Sequence, residues 1–124
     1  MPTQKVIIAD HDSNTLQILG RIINTAGYKT ATATNGKDAL AKIRTLEPSL
    51  VFIDAGMPQI DGFRVCQEIR NDPNLAHQPH IIMMTDSIEN VADFEKALQL
   101  GVNDLIFKPL SVLQVSSYVQ KIMH

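Results

Sequence analysis

Four polar residues close four apolar runs in this chain. Asp10 follows Val6-Ile7-Ile8-Ala9, Asp54 follows Leu50-Val51-Phe52-Ile53, Thr85 follows Ile81-Ile82-Met83-Met84, and Lys108 follows Leu105-Ile106-Phe107. Together they make a chemical set. A carboxylate can attack phosphorus, and a divalent cation held by its neighbours can offset the negative charge. A hydroxyl and an ammonium can hold phosphoryl oxygens as charge moves onto them. Each residue alone has a plainer reading. An Asp after a strand is commonly a turn former or a helix cap, and Asp12 or Ser13 could cap a helix starting just after Asp10. Thr85 alone reads as a turn residue and Lys108 as a solvated loop lysine. The joint pattern at four run ends weakens the plainer readings.

The elements that must position these residues are marked by two alternating periodicities. The four runs are short and wholly apolar, as strands buried on both faces are. A fifth, Tyr28-Lys29-Thr30-Ala31-Thr32-Ala33, alternates more and is β-branched, which suits a strand nearer an edge. Helical spacing fills the gaps. Leu16, Leu19, Ile23 and Ala26 form a first stripe that Gly27 stops, and Ala39, Leu40, Ile43 and Leu46 form a second that Pro48 ends. Phe63, Cys66 and Ile69 mark a third helix, ending near Asn71-Asp72-Pro73. Val91, Phe94 and Leu98 mark a fourth, stopped by Gly101. Val112, Val115, Val119 and Ile122 mark a fifth, opened by Ser111 and Gln114 in the spacing of a capping box. Strands alternating with helices predict an α/β fold with a parallel sheet covered on both faces. Ligands of such sheets bind beyond the carboxyl ends of the strands, where the four polar residues fall.

A chain of 124 residues with no linker, repeat or low-complexity stretch predicts one domain over residues 1–124. Its net charge of 11 − 13 = −2 argues against a module that coats nucleic acid. Cys66 is the only cysteine, so no disulfide can close within the chain. No apolar run approaches the length of a membrane span, and Met1-Pro2-Thr3-Gln4-Lys5 does not open a signal peptide; a cytoplasmic location is the expectation. Met57, Met83 and Met84 read as core residues. His77 and His80 lie three apart in a Pro-containing loop, a poor setting for a metal site.

The segment Asp54-Ala55-Gly56-Met57-Pro58-Gln59-Ile60-Asp61-Gly62-Phe63 matches a D-x-x-M-P-x-x-D-G motif position by position. With Asn35-Gly36, Ala39-Leu40, Gly101-Val102-Asn103-Asp104 and Lys108-Pro109-Leu110, it resembles the receiver domain of bacterial two-component response regulators, and chemotaxis regulators in size. The resemblance runs from Lys5 to about Met123. It implies a (βα)5 doubly wound domain with strand order 2-1-3-4-5 and helices on both faces. It also implies that Asp54 is a phosphoacceptor supplied by a histidine kinase or phosphotransfer protein. Mg²⁺ would be held by Asp10, Asp54 and the backbone carbonyl of Gly56. Thr85 would contact the phosphoryl group, and Lys108 would pair with Asp54 and then with the phosphate. Thr85 and residue 105 would form the switch, and the fourth helix, fifth strand and fifth helix would change partner choice. Implied partners are a downstream effector or fused output domain.

Three positions depart from the family's pattern. His11 stands where a second acid usually follows Asp10, and Asp12 or His11 itself would have to complete the metal site. Imidazole is a poor ligand for a hard ion, and a ring facing solvent at the start of a helix is the alternative for His11. Asp86 follows Thr85 where a small residue is usual. Turned inward it would repel phosphate or bind Lys108; turned outward it begins a loop. Leu105 replaces the usual aromatic, so any switch must work without a ring. These departures support a second hypothesis, a pseudo-receiver that binds partners without phosphate. A third is an enzyme: Asp10-His11-Asp12 fits the D-x-D start of haloacid-dehalogenase-like phosphatases, but no flap or cap follows and the D-x-x-M-P-x-x-D-G match goes unexplained. Val112, Leu113 and Tyr118 make the last helix more apolar than one buried stripe requires, which fits either a partner or dimer face or ordinary exposed apolar surface; a homodimer through the fourth and fifth helices is the candidate assembly.

Overall fold

The computed structural model describes residues 5–86 and 91–123, leaving out the side chains at 91–93. Five strands alternate with five helices: β1 Lys5–Ala9, α1 Ser13–Thr25, β2 Lys29–Ala33, α2 Gly36–Leu46, β3 Leu50–Asp54, α3 Gly62–Arg70, β4 His80–Thr85, α4 Val91–Gln99, β5 Asp104–Phe107 and α5 Val112–Ile122. The sheet is parallel throughout, in order β2-β1-β3-β4-β5. The alternating strand, β2, lies at an edge, as its pattern predicts. The apolar runs of β1, β3 and β4 lie inside, where both faces need cover, but that of β5 takes the other edge with Phe107 38% exposed, which corrects the expectation of a fourth strand buried on both faces.

Successive side chains on a strand point to opposite faces, so each apolar run feeds two cores. Ile7, Ala9, Val51, Ile53, Ile81 and Met83 pack with Ala39 and Ile43 of α2, Val65, Cys66 and Ile69 of α3, and Ala97 of α4. Val6, Ile8, Leu50, Phe52, Ile82, Met84 and Ile106 pack with Leu19 and Ile23 of α1 and Val115 and Val119 of α5. Met57, Met83 and Met84 are all buried. Side-chain caps start the helices: Asp12 on α1, Asn35 on α2, Asp61 on α3 and Ser111 on α5. The stops at Gly27 and Gly101 have φ of 99° and 90°, a conformation that costs other residues a steric clash. No helix among the described residues is long and apolar enough to cross a membrane.

Two predicted stripes are corrected. Ala26 caps α1 and is exposed; Thr15 takes a buried place on that helix instead. On α4, Phe94 is 38% and Leu98 51% exposed, while Ala97 is the buried residue. The described part of α4 thus meets the core through a small side chain and leaves larger ones at the surface. Val91, the remaining member of that stripe, has its side chain outside the described residues.

Candidate functional site

The carboxyl edge of β1 and β3 brings two acids together. Asp10 immediately follows β1, its N–H donating to the Ala33 carbonyl at 3.0 Å, and its side chain has no exposed surface. Asp54 is the last residue of β3, with its side chain 6% exposed. Isolated buried carboxylates are costly, and the neighbours of this pair offset the cost. Lys108 Nζ donates to Asp10 Oδ2 at 2.6 Å and lies 3.7 Å from Asp54 Oδ1. The Asp12 N–H donates to Asp10 Oδ1 at 2.9 Å. The Gly56 N–H bonds the Asp54 carboxylate.

These contacts set the ionisation of the site. Burial and the charge of Asp10 push the Asp54 carboxyl above its ordinary value, against the opposing pull of Lys108, the Gly56 N–H and His11. For Lys108, burial acts downward, but the hydrogen bond and charge of Asp10, with the charges of Asp54 and Asp86, outweigh it and hold the ammonium up. The pocket therefore favours a charged lysine beside an acid that is harder to ionise than usual.

The expected Lys108–Asp54 pairing is corrected in one respect: the closer bond goes to Asp10. His11 resolves into neither of its two predicted forms alone. Its side chain is 56% exposed, yet Nδ1 lies 3.1 Å from Asp54 Oδ2 and 3.6 Å from Asp10 Oδ1. One ligand atom from each of Asp10, His11 and Asp54 falls within 4.8 Å of the others. Asp12 is committed elsewhere: its oxygens accept from the Asn14 N–H at 3.0 Å and the Thr15 hydroxyl at 3.2 Å, capping α1. Asp86 is exposed, in line with the outward alternative.

The segment after Asp54 shows why its residue types fall where they do. Met57 is buried and pins the loop to the core, and the Pro58 carbonyl accepts from the Gly36 N–H at 3.1 Å. Asp61 caps α3 by accepting from the Arg64 N–H at 2.8 Å. A Cβ on Gly62 would lie 2.4 Å from the Asp54 carbonyl oxygen, so no larger residue fits without moving the backbone of Asp54. Every fixed letter of the motif thus shapes the loop or caps the helix behind Asp54.

Thr85 ends β4, and its carbonyl accepts from the Lys108 N–H at 2.9 Å, tying the two rim positions together. Leu105 is half-buried, opposite Met83, against the core that α2, α3 and α4 share. Beside Lys108 an open groove of about 440 Å³ is lined by Asp12, Thr15, Ile18, Asp86, Pro109 and Leu110 among others. At the other end of the sheet His80 Nε2 lies 2.7 Å from Asp104 Oδ2, a pair 24 positions apart that no local pattern marks; His77 is exposed. Val112 and Leu113 are 58% and 83% exposed on α5, while Tyr118 is partly buried.

The family model for the response regulator receiver domain matches residues 6–120. A probable transcriptional regulator ycf27 of Cyanidium caldarium is 36% identical over 95% of this chain and 45% of its own length. The alkaline phosphatase synthesis transcriptional regulatory protein PhoP of Bacillus subtilis is 30% identical over 97% of this chain and 48% of its own. The chain therefore spans about half the length of these relatives. The crystal structure of a putative response regulator from Chloroflexus aurantiacus superposes with a TM-score of 0.86 at 26% identity, covering 98% of both chains.

Proposed function

The chain belongs to the response regulator receiver domain family, a family of signalling domains, and from that premise we propose that it accepts a phosphoryl group on Asp54 and passes its state on by protein contacts. The donor is a phosphohistidine of a kinase or phosphotransfer protein. An Asp54 carboxylate oxygen attacks phosphorus, the bond from phosphorus to the donor's imidazole nitrogen breaks, and the imidazole leaves with the electron pair and takes up a proton. Lys108 and Thr85 hold the phosphoryl oxygens, and the groove beside Lys108 receives the donor protein. One observation carries the reading: a nearly buried carboxylate at the end of β3, 3.7 Å from a lysine ammonium and beside a second acid.

The donor set fits Mg²⁺ in part. A hard cation takes one or two protein carboxylates and keeps water or phosphate oxygens for its other positions, and Asp10 and Asp54 supply those two. The backbone carbonyl of Gly56 is the further proposed ligand. The ion, when bound, would neutralise charge on the phosphoryl oxygens.

A phosphatase with Asp10 as nucleophile is disfavoured by its surroundings. Asp10 is fully buried, and both of its oxygens accept hydrogen bonds, whereas Asp54 lies beside exposed Gly56. The pseudo-receiver keeps one observation in its favour, the His11 imidazole 3.1 Å from an acceptor oxygen. For the readout we propose α4, β5 and α5, where Phe94, Leu98, Phe107, Val112 and Leu113 are exposed. The occupant of that face is a second copy, an effector or a fused output domain of the kind that the names of the relatives imply, acting in the cytoplasm. Nucleic acid contact would belong to such an output domain.

Intact mass after incubation with Mg²⁺ and a small-molecule phosphodonor tests the proposal. A single phosphoryl adduct is expected, absent in Asp54→Asn. No adduct with either Mg²⁺ or Mn²⁺ would give the field to the pseudo-receiver. An adduct that persists in Asp54→Asn would move the nucleophile elsewhere.

A further inference from the structure

We infer that His11 makes the pocket a mixed nitrogen–oxygen site that selects divalent transition ions, such as Mn²⁺, Co²⁺ or Zn²⁺, over Mg²⁺. The imidazole turns Nδ1 toward both acids, at 3.1 Å from Asp54 Oδ2 and 3.6 Å from Asp10 Oδ1. For metal–ligand bonds of about 2.1 Å, neighbouring donors lie about 3.0 Å apart in an octahedron and about 3.4 Å apart in a tetrahedron. The His11–Asp54 distance falls between these values and the His11–Asp10 distance slightly above them, with one ligand atom from each of the three residues within 4.8 Å of the others. Asp54 and the Gly56 carbonyl are the freer oxygen donors, because both oxygens of Asp10 already accept hydrogen bonds. Asp10 Oδ2 is held by Lys108 at 2.6 Å, and Oδ1 already accepts from the Asp12 N–H. Asp12, the nearest acid that could add an oxygen, is bound to the start of α1.

Charge does not discriminate between the ions, so the donor type must. Asp10 and Asp54 bring two negative charges and Lys108 returns one positive, which leaves every divalent ion the same modest net attraction. Mg²⁺ relies on carboxylate and water oxygens, whereas imidazole nitrogen suits the later divalent ions of the first transition row. The nitrogen donor thus strengthens binding for one class of ion and does little for the other.

The inference rests on the phosphoacceptor reading only for the choice of pocket, and binding is measured without any phosphodonor. Titration of the intact chain with Mg²⁺ and Co²⁺ at about pH 8 gives an affinity ratio. His11→Asp is expected to lower that Co²⁺-to-Mg²⁺ ratio by about tenfold or more, the step that 1.4 kcal/mol of ligand preference produces. Because nearly all nitrogen–oxygen sites favour Co²⁺ to some degree, a second readout is direct. Spin-echo spectroscopy of bound Mn²⁺ is expected to show coupling to one imidazole ¹⁴N, lost in His11→Ala but kept in His77→Ala. An unchanged ratio in His11→Asp, bound Mn²⁺ without that coupling, or no binding of any ion would each overturn the inference. A nitrogen-bound ion in a chain that forms no phosphoryl adduct would sink the phosphoacceptor reading alone. An adduct formed with an all-oxygen metal site would sink this inference alone.

Discussion

Replacing Lys108 with methionine keeps most of the aliphatic stem and removes an ammonium that lies against both pocket acids. Asp10 has no exposed side-chain surface, Asp54 6% and Lys108 13%, so the three charges meet where water screens them poorly. Breaking a buried pair by removing one partner costs about 3–5 kcal/mol, because the other charge is left uncompensated. Here His11 opens the pocket to solvent on one side and its ring stands beside the same acids, which relieves part of that cost. The expected loss in Lys108→Met is therefore about 2–3 kcal/mol in metal-free buffer at neutral pH. For a chain of this size that corresponds to a fall in Tm of about 8–12 °C.

The pH dependence has a definite sign. The ammonium is held above its ordinary value, so its contribution is complete at neutral pH and is lost only as pH rises through that raised value. In the variant the penalty comes from two ionised acids, so the gap to wild type should narrow as acid protonates Asp54, whose pKa is already raised by burial and Asp10. Thermal melts of wild type, Lys108→Met, Asp10→Asn and the double variant check the assignment. The cycle should return a coupling of about 2 kcal/mol, within the range found for groups that share one hydrogen bond. A loss below about 0.5 kcal/mol, or additive single effects, would refute the Lys108–Asp10 bond as a stabilising contact.

Two further outcomes follow from the same pocket and its loop. Because the Asp54 pKa is raised, the folded state holds its proton more tightly than the unfolded chain, and stability falls as pH rises from the ordinary value of 3.8 through the raised one. Asp54→Asn should therefore raise Tm in metal-free buffer at neutral pH, with the gain fading in acid; a lower Tm at neutral pH would contradict the sign. In Gly62→Ala the new Cβ would stand 2.4 Å from the Asp54 carbonyl oxygen and 3.0 Å from Ala55 Cα, and both are backbone atoms. The substitution should cost about 3 kcal/mol in a denaturant titration and slow phosphoryl adduct formation on whatever folds, whereas wild-type behaviour in both would mean the loop is more pliant than its packing implies.

The sheet was legible because burial on two faces leaves a compositional mark. Leu50-Val51-Phe52-Ile53 has no polar residue to spare, and the structure sends Leu50 and Phe52 into one core and Val51 and Ile53 into the other. The α4 stripe was misread for the complementary reason. Large apolar residues at helical spacing mark a face, but spacing alone does not say whether core or solvent receives it. Phe94 and Leu98 face outward while Ala97, a weaker sequence signal, meets the core. The Ala26 error has a similar source, since a stripe projected one turn too far runs past the cap.

In the pocket, residue type was legible and partnership was not. Along the rim the strand order places β3 and β4 between β1 and β5, so Lys108 must reach back across two strand ends to bond Asp10, 98 positions earlier. No local pattern encodes which of two acids receives a lysine over that span; the depth of Asp10 and the length of the side chain decide it. His11 poses the harder case. Its position next to Asp10 admits a ring in solvent or a ring on the acids, and the structure satisfies both at once, because an imidazole has two nitrogens and two edges. An exposed ring can thus still present one nitrogen to Asp54, which is why the identity of residue 11 bears on the donor set of the pocket.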